Sequence, residues 1–483
     1  MLNQIRVNHP DSLDTHDLLM AAIEGMVAAA DPHSYVTPAA RLDSAKEAAM
    51  RDGKLFPVPI DFRFVSGAPL VAGVAPGSHA VSLDILPGDE LVAADGHPIG
   101  AGSAGELDVA LAGPKNSSVA LTLRRRRSDG SVARLERTVK RERVEDASAV
   151  PVATMLANNT GYVRVTTFMG DKTADDLHSA LVGLEKKGMA RLVLDLRGNG
   201  GGRIDEAKSV AGEFLPRGSI VYTAAGRKSD VTDTGRVQRS FFGSERHYPI
   251  AVLVDEGTAS ASELVVGALQ DHDRALIVGR TTFGKSLLMR TFPLTDGSRM
   301  TLVVGRVQTP CGRVVQRDYH SLSRREYYLE AGEAAATTDR PSCKTDHGRT
   351  VYGGGGIVPD VVLDEALSPP WRARVAERAL GLTWAGGYVD RKGATLSSVE
   401  ALASSSLDAA TLGEFRTYAS QNGVTVPADA DAALSQYLLQ EIAYVKFGEP
   451  GFYRLIAITD PGVTAAIKAF DRAGELLGAG GKQ

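Results

Sequence analysis

The chain has 483 residues, a length that predicts two to four domains at about 150 residues per domain. Hydrophobic residues make up 43% of the sequence, enough for sizeable cores, which excludes wholesale disorder. Acidic residues outnumber basic ones by 58 to 54. This mild balance argues against nucleic acid as a partner, because binding a phosphate backbone needs a strong basic field.

The sequence also excludes several kinds of site. No apolar run approaches the ~20 residues that a membrane-spanning helix needs, so we expect no transmembrane segment. Two cysteines are too few for a disulfide-rich scaffold or a four-cysteine zinc site, and the ten histidines include no His-Glu-x-x-His pair. The polar residues after Met1 do not form the pattern of a signal peptide. Such a start is expected of a cytoplasmic protein, or of one whose leader has been removed.

The predicted elements change character along the chain. Apolar residues first recur at helical spacing, then short strands alternate with turns, and then strands alternate with helices before a mostly helical end. We predict four consecutive parts: a helical N-terminal segment (1–56), a small domain of mixed strand and helix (57–145), an α/β core (146–365) with an irregular excursion (309–355), and a helical C-terminal region (366–483).

The α/β core is predicted from its alternation of apolar runs. Strand-like runs fall at 161–165, 191–196, 220–223, 250–254 and 275–278, and helical patterns at 173–187, 204–214 and 260–271. Strands that alternate with helices in this way are typical of layered α/β domains.

The most informative turn surrounds Ser260. An apolar strand runs into residues 255–259, and a helix is predicted to start near Ser260. A serine at such a turn is exposed at the end of the sheet, and the N–H of Ala261 has no partner within the helix. That N–H, aided by the helix dipole, can hold a developing oxyanion. The turn therefore fits an acyl-transfer nucleophile, although an ordinary helix N-cap has the same pattern.

A base for that serine is suggested by Lys285, which follows the 275–278 strand. Buried among Phe283, Leu287 and Leu288, its amine would have a pKa lowered by desolvation and could take the serine proton. A lysine exposed on a surface loop is the alternative that the spacing leaves open.

A glycine-rich turn, Asp195-Leu-Arg-Gly-Asn-Gly-Gly-Gly202, also follows a strand and precedes a helix. Its N–H groups could line an anion hole. It lacks the Gly-Lys-Ser/Thr ending of a P-loop and the Gly-x-Gly-x-x-Gly spacing of dinucleotide sites. A tight turn is the simpler alternative, with Asp195 and Arg197 as a structural ion pair.

Four segments together resemble the signatures of the C-terminal processing (tail-specific) peptidases: Asp195–Gly202, Gly257-Thr-Ala-Ser-Ala-Ser-Glu263, Ala268-Leu-Gln-Asp271 and Thr282-Phe-Gly-Lys285. That family uses a Ser/Lys pair. In its motif the nucleophile is the central serine of a Ser/Thr-Ala-Ser-Ala-Ser run, which here is Ser260. Its lysine follows 25 positions later, as Lys285 follows Ser260. The resemblance covers roughly residues 15–365.

The resemblance implies an α/β catalytic core of the crotonase-like layered type, with an inserted PDZ-like domain and helical segments at both ends. It implies Ser260 as nucleophile and Lys285 as general base. The oxyanion hole would be formed by N–H groups of Ala261 and of Gly202 or Gly201. No metal or organic cofactor is needed, so none is expected. The implied partners are protein substrates recognised by their C-termini, with an adaptor or self-association left open.

The PDZ-like domain is indicated by segments 76–80, 87–89 and 95–96, which resemble that module. Such a domain adds a peptide to its sheet edge while backbone N–H groups of a loop receive the terminal carboxylate. We expect the peptide to contact the loop and strand formed by Phe62, Arg63, Phe64 and Val65. A packing domain that binds nothing is the alternative.

One departure from the family pattern is Met289, where family members commonly place a glutamine that holds the lysine. Methionine sulfur is only a weak acceptor. Either the dyad works alone, or another residue orients Lys285, or the chain is a PDZ-bearing scaffold with an impaired peptidase core. An acyl-CoA enzyme of the crotonase type shares the oxyanion logic, but it has no use for a PDZ segment or for the Ser/Lys spacing.

The family resemblance implies a periplasmic or otherwise extracytoplasmic location, whereas the start of the chain leaves the cytoplasm open. The two settings make different predictions for Cys311 and Cys343, which lie 32 positions apart. In an oxidising compartment they could pair, and free thiols are the alternative.

Overall fold

The structure is a computed structural model. It describes residues 2–11, 13–37, 44–65, 68–75, 78–86, 88–101, 104–126, 131–142, 148–228, 231–238, 246–295, 298–320, 327, 340–363 and 369–479. Three predictions therefore fall partly outside the described residues: the PDZ-like turns at Pro76, Gly77 and Pro87, the boundary between the small domain and the core at residues 145 and 146, and residues 321–326 and 328–339 of the excursion.

The described strands are, in chain order, β1 (Tyr35–Thr37), β2 (Ile60–Val65), β3 (Ala68–Val74), β4 (Glu90–Ala94), β5 (His97–Pro98), β6 (Ser118–Arg126), β7 (Val132–Lys140), β8 (Val152–Leu156), β9 (Thr160–Arg164), β10 (Arg191–Asp195), β11 (Ile220–Gly226), β12 (Asp233–Arg236), β13 (Ile250–Val254), β14 (Leu276–Gly279), β15 (Leu287–Pro293), β16 (Arg299–Gln308), β17 (Ser342–Lys344), β18 (Thr350–Tyr352) and β19 (Val361–Val362).

The described helices are α1 (Leu2–Asn8), α2 (Thr15–Ala30), α3 (Ser44–Arg51), α4 (Ala104–Leu111), α5 (Thr173–Glu185), α6 (Ile204–Ala211), α7 (Ala261–Asp271), α8 (Pro370–Glu377), α9 (Leu380–Lys392), α10 (Val399–Ala403), α11 (Ala409–Gln421), α12 (Asp431–Thr459), α13 (Pro461–Lys468) and α14 (Phe470–Ala479). Within the described residues, no helix is both long enough and apolar enough to cross a membrane.

The chain divides into two compact units that interleave in sequence. Unit 1 comprises residues 1–40, 148–364 and 461–483, and unit 2 comprises residues 41–147 and 365–460. The sequence predicts four consecutive parts instead, with residues 366–483 as one region. In the structure that region is divided, because α13 and α14 pack on strands of the unit 1 sheet.

Unit 1 is built on a mainly parallel sheet with the strand order β19-β14-β13-β10-β9-β8. Only the β8–β9 pairing is antiparallel. Every residue of β13 is buried, the continuous apolar pattern of a parallel strand covered on both faces. Because β10 and β13 pair in parallel, they end at the same edge of the sheet, and the two turns that follow them lie side by side.

The helices of unit 1 bury apolar faces against this sheet. Leu177 of α5, Val210 of α6 and Val265 of α7 are fully buried in one core cluster with the strands. This arrangement confirms the predicted mixed α/β character. The run predicted at 220–223 is a strand, but it lies in a second sheet of order β1-β16-β11-β12, in which β15 also pairs with β16.

Unit 2 contains an antiparallel sheet of order β2-β3-β4-β6-β7, with β2 at one edge of the path and β5 paired to β4. Val71, Leu121 and Leu123 form its core with α4. A second core is formed by helices α8 to α12, around Trp384 and Phe415. Helix α12 is interrupted at Gly448 (φ 69°), two residues before Pro450, which removes a helical N–H donor.

Candidate active site

Ser260 lies in a sharp connection between β13 and α7, which we call the nucleophile turn (residues 255–260). Its backbone has φ 58° and ψ −118°, a conformation that costs a non-glycine residue free energy and persists only where the surroundings enforce it. Those surroundings include Asp255, whose Oδ1 accepts the N–H of Gly257 at 3.0 Å, and Thr258, whose hydroxyl donates to the carbonyl of Leu196 at 2.9 Å. A strained strand-to-helix turn of this kind presents a serine hydroxyl at the sheet edge.

The glycine turn (residues 196–202) is fixed directly against the nucleophile turn. The carbonyl of Asn199 accepts both the N–H of Ala259 at 3.0 Å and the hydroxyl of Ser262 at 2.8 Å. Gly201 approaches so closely that a Cβ there would lie 2.6 Å from the carbonyl oxygen of Ala259. Its φ of 94° also favours glycine.

The structure corrects one predicted oxyanion donor. The N–H of Gly201 donates to the side-chain Oδ1 of Asn199 at 3.0 Å and is therefore already taken. The N–H groups of Gly202 and Ala261 meet no acceptor within the described part of the chain. Gly202 is held by a bridge to Phe168, where a Cβ would lie 2.3 Å from the backbone carbon, so only glycine fits.

A buried network of charged side chains holds the start of the glycine turn. Asp195 is 1% exposed and accepts bonds from the guanidinium of Arg164 at 2.6 Å, from that of Arg197 at 2.8 Å and from the hydroxyl of Tyr162 at 2.8 Å. Burial alone would raise the pKa of Asp195, but the two arginines hold that pKa well below its usual range. The predicted ion pair between Asp195 and Arg197 is present in the structure.

Glu263 links the nucleophile turn to the lysine loop (residues 282–286). This carboxylate is completely buried, and its Oε2 accepts the N–H of Ser260 at 2.8 Å and the N–H of Lys285 at 2.8 Å. The two backbone nitrogens therefore cannot lie farther apart than the sum of these distances. Its Oε1 accepts the hydroxyl of Thr282 at 2.6 Å and the N–H of Gly284 at 2.8 Å. One carboxylate thus joins the two predicted dyad residues through their backbones.

Burial raises the pKa of Glu263 to about 7, although its four hydrogen-bond donors favour the charged form. A buried group whose pKa approaches neutrality between two candidate catalytic residues is typical of an active site.

Lys285 is half-buried, two residues before β15, and desolvation lowers the pKa of its amine. The nearby carboxylates of Glu263 and Asp31 oppose this effect. Asp31 belongs to the Asp-Pro-His-Ser segment, where it accepts the hydroxyl of Ser34 at 2.6 Å. The N-terminal segment therefore contributes a charge to the surroundings of the lysine.

The predicted peptide-binding residues lie in unit 2, apart in sequence from the other site residues. All four belong to strand β2, so none of them forms a loop. Phe62 is 9% exposed and its side chain packs in the core of that sheet, so the prediction of a peptide contact is wrong for this side chain. Phe64 is half-buried against the same core. The side chains of Arg63 and Val65 lie outside the described part of the structure.

In the sequence, the place of Glu263 three residues after Ser260 predicts only helix capping, and the bond from the N–H of Ser260 confirms that role. Its second oxygen, and the bonds from Thr282 and Gly284, were missed. The signal that could have indicated these bonds is the position of Glu263 in the motif that carries Ser260 and of Thr282 in the motif that carries Lys285.

Comparison with known proteins gives concordant results. The profile of Peptidase family S41 matches residues 159–319. The chain is 36% identical over 241 residues to a carboxyl-terminal-processing protease of Synechocystis, covering 48% of this chain and 53% of that protein. It is 30% identical over 323 residues to a carboxy-terminal-processing protease of Bartonella bacilliformis, covering 65% of this chain and 71% of that protein. The chain therefore spans between half and three-quarters of the length of these relatives.

Among solved structures, a photosystem II D1 C-terminal processing protease is 26% identical, covering 80% of this chain and 90% of that one, with a TM-score of 0.37. From the sequence matches, and above all from the relative in Bartonella bacilliformis, we conclude that the chain belongs to peptidase family S41, the serine-type carboxyl-terminal-processing peptidases.

Proposed function

We propose that the protein is a serine endopeptidase in which Ser260 and Lys285 form the catalytic dyad. The observation that supports this most directly is the bridge made by Glu263, which bonds the N–H groups of both residues at 2.8 Å. The strained backbone of Ser260 and the lowered pKa of Lys285 add to it. A nucleophile and a base that are held together are the minimum that acyl transfer needs.

In the proposed reaction, Oγ of Ser260 attacks the scissile carbonyl carbon while Nζ of neutral Lys285 takes the hydroxyl proton. The tetrahedral intermediate collapses, the C–N bond breaks, and the leaving amine receives that proton from Lys285. Water then attacks the acyl-enzyme, with Lys285 again as base, and releases the second product. Desolvation of Lys285 favours its neutral form, which is the form that the first step requires.

The proposed oxyanion hole consists of the N–H groups of Ala261 and Gly202. Ala261 is the first residue of α7, so its N–H has no partner within the helix and benefits from the helix dipole. Gly202 ends the glycine turn, which is bonded to the nucleophile turn through Asn199 and Ala259, so both donors belong to segments that are fixed to each other. Donors that are fixed before the reaction are worth more than donors that must be ordered during it.

We propose further that unit 1 is the crotonase-like core and that the sheet of unit 2 is the PDZ-like domain, which selects substrates by their C-termini. Strand β2 lies at the edge of its sheet, where an extended peptide can add as a further strand. Pro57 and Pro59 directly precede β2 and have no N–H for a terminal carboxylate. Strand pairing is therefore the main source of affinity in this proposal. The location proposed for the enzyme is extracytoplasmic.

The test uses an unstructured protein with an apolar C-terminus as substrate, and a fluorophosphonate that labels reactive serines. We expect the wild type to cleave and to be labelled, and Ser260→Ala and Lys285→Ala to lose at least about 10⁴-fold in rate. Ser262→Ala is the matched control, since that hydroxyl donates to Asn199 and should cost only stability. Cleavage that persists in Ser260→Ala would contradict the dyad. A wild type that is neither labelled nor active would favour the scaffold alternative.

A further inference from the structure

Met289 stands where the family commonly has a glutamine that holds the catalytic lysine, so another group must do that work if the dyad is to function. In the structure Met289 lies on β15 opposite Val303, just after a register shift between Leu288 and Met289. A thioether is a weak acceptor and donates nothing. A group that replaces the missing amide must therefore be a polar group that contacts the lysine loop.

An amide does reach the lysine loop, but from Gln316. Its Oε1 accepts the N–H of Ser286, the residue after Lys285, at 2.9 Å. Its Nε2 donates to the carbonyl of Arg317 at 2.8 Å and to the hydroxyl of Tyr327 at 3.0 Å. Both ends of this amide are thus satisfied, which fixes its orientation.

Tyr327 holds the other side of the loop. It is completely buried, and its hydroxyl donates to the carbonyl of Gly284, the residue before Lys285, at 3.3 Å. Burial raises the pKa of Tyr327 to about 12, so the hydroxyl keeps its proton at any working pH. Its ring packs edge-on against His33 and Phe283, with centroids 4.7 and 5.7 Å away.

We propose that Gln316 and Tyr327 are positioning residues for Lys285, doing from the backbone what a side-chain amide at position 289 would do directly. Together they bond the carbonyl of Gly284 and the N–H of Ser286, while Glu263 bonds the N–H groups of Gly284 and Lys285. The lysine loop is then fixed on both sides of Lys285. This inference rests on the proposed Ser/Lys function.

The inference also gives a role to the irregular excursion, because Tyr327 belongs to it. The segment is closed by a disulfide between Cys311 and Cys343, whose Cα atoms are 6.0 Å apart, within the usual range. Its first end is bonded to the C-terminal residue of α7, since Oδ2 of Asp271 accepts the N–H of Cys311 at 3.1 Å. The helix that begins next to Ser260 therefore anchors the segment that supplies Tyr327.

The experiment measures the rate of Ser260 labelling by a fluorophosphonate as a function of pH, together with kcat and KM on an unstructured protein. We expect Tyr327→Phe and Gln316→Met to slow labelling by about tenfold, to change the pH profile and to leave KM unaltered, since the base is misplaced while substrate binding is intact. Gln316→Glu keeps an acceptor for Ser286 and should recover part of the rate.

The matched control is Tyr319→Phe, the same change in a ring that also packs edge-on against His33. Within the described residues, no hydrogen bond joins the Tyr319 hydroxyl to the lysine loop, so its profile should equal that of the wild type. Thermal unfolding identifies variants that have lost the fold. If Tyr327→Phe or Gln316→Met is unfolded, the labelling rate of Gln316→Glu tests the inference instead. Wild-type rates and pH profiles in the Tyr327 and Gln316 variants would overturn the inference. Failure of the wild type itself to label would instead overturn the proposed function.

Discussion

The nucleophile turn and the lysine loop are fixed in different ways. The nucleophile turn has a strained φ at Ser260, which is held by side chains of the turn itself, such as Asp255 and Thr258, and by the glycine turn packed closely against it. The lysine loop is held by side chains that arrive from distant parts of the sequence, notably Glu263, Gln316 and Tyr327. The difference implies that the first region tolerates almost no change of backbone, whereas the second tolerates change wherever another side chain can take over the same bond.

The largest effect is expected where the glycine turn contacts the nucleophile turn. In Gly201→Ala, the new Cβ would lie 2.6 Å from the carbonyl oxygen of Ala259, at a φ of 94° that alanine rarely adopts. We expect loss of Ser260 labelling and a fall in the free energy of unfolding of about 2 kcal/mol or more.

The matched control for that variant is Gly200→Ala, one residue earlier. Its Cβ would meet no atom within 4 Å, so labelling and stability should remain at wild-type levels. Equal losses in Gly200→Ala and Gly201→Ala would show that the close contact of the two turns is not what matters.

The next effect concerns Glu263, the residue shared by both regions. In Glu263→Gln, an NH₂ group would face two of the four donors that the carboxylate now accepts, and we expect the free energy of unfolding to fall by about 1–3 kcal/mol. Labelling should fall as well. Calorimetry measures the stability and labelling rates measure the activity, and exposed Glu414→Gln, paired with Arg391, is the control.

Glu263 also predicts a pH dependence of stability. Its folded pKa is about 7 against 4.5 for the free group, so the folded state retains a proton that the unfolded chain releases. Its contribution to stability is therefore complete below pH 4.5 and is lost as the pH rises to about 7. Chemical denaturation across this range should show the trend in the wild type, and an identical slope in Glu263→Gln would contradict it.

A smaller effect is expected from Asp31, whose charge opposes the lowered pKa of Lys285. Activity should rise with pH as the amine loses its proton, with a midpoint below the usual lysine value of 10.5. In Asp31→Asn the midpoint should move to lower pH, because the amine loses a stabilising anion. Exposed Asp11→Asn should leave the profile unchanged, and a shift to higher pH in Asp31→Asn would refute the assignment.

The smallest effect is expected from Met289, and it tests whether other side chains already hold the lysine loop. If Gln316 and Tyr327 already fix the lysine loop, then Met289→Gln should change the labelling rate by no more than about twofold. A gain of tenfold or more would mean that the loop lacks the support that these two residues are proposed to give.

The sequence predicts these two regions unequally for the same physical reason. Ser260 and the glycine turn each follow an apolar strand, and the two strands are adjacent and parallel. Short motifs directly after such strands are enough to predict both turns. Gln316 and Tyr327 reach Lys285 only through tertiary contacts, and Tyr327 lies in a segment without periodicity. The resemblance to a PDZ domain also predicts a peptide contact at Phe62, but an alternating strand does not reveal which of its faces is covered by a core, and here the core covers the Phe62 side chain.

The interleaved order of the two units has a consequence for how the enzyme is made. Strand β1 pairs with β16, so more than half of the chain must be synthesised after β1 before its partner strand exists. Helices α13 and α14, which pack on β13 and β14, follow Lys285 by more than 170 residues. Assembly from such distant pieces is slow because long loops must close first. A growing chain on the ribosome therefore carries Ser260 and Lys285 before the helices that pack on the neighbouring strands have been synthesised.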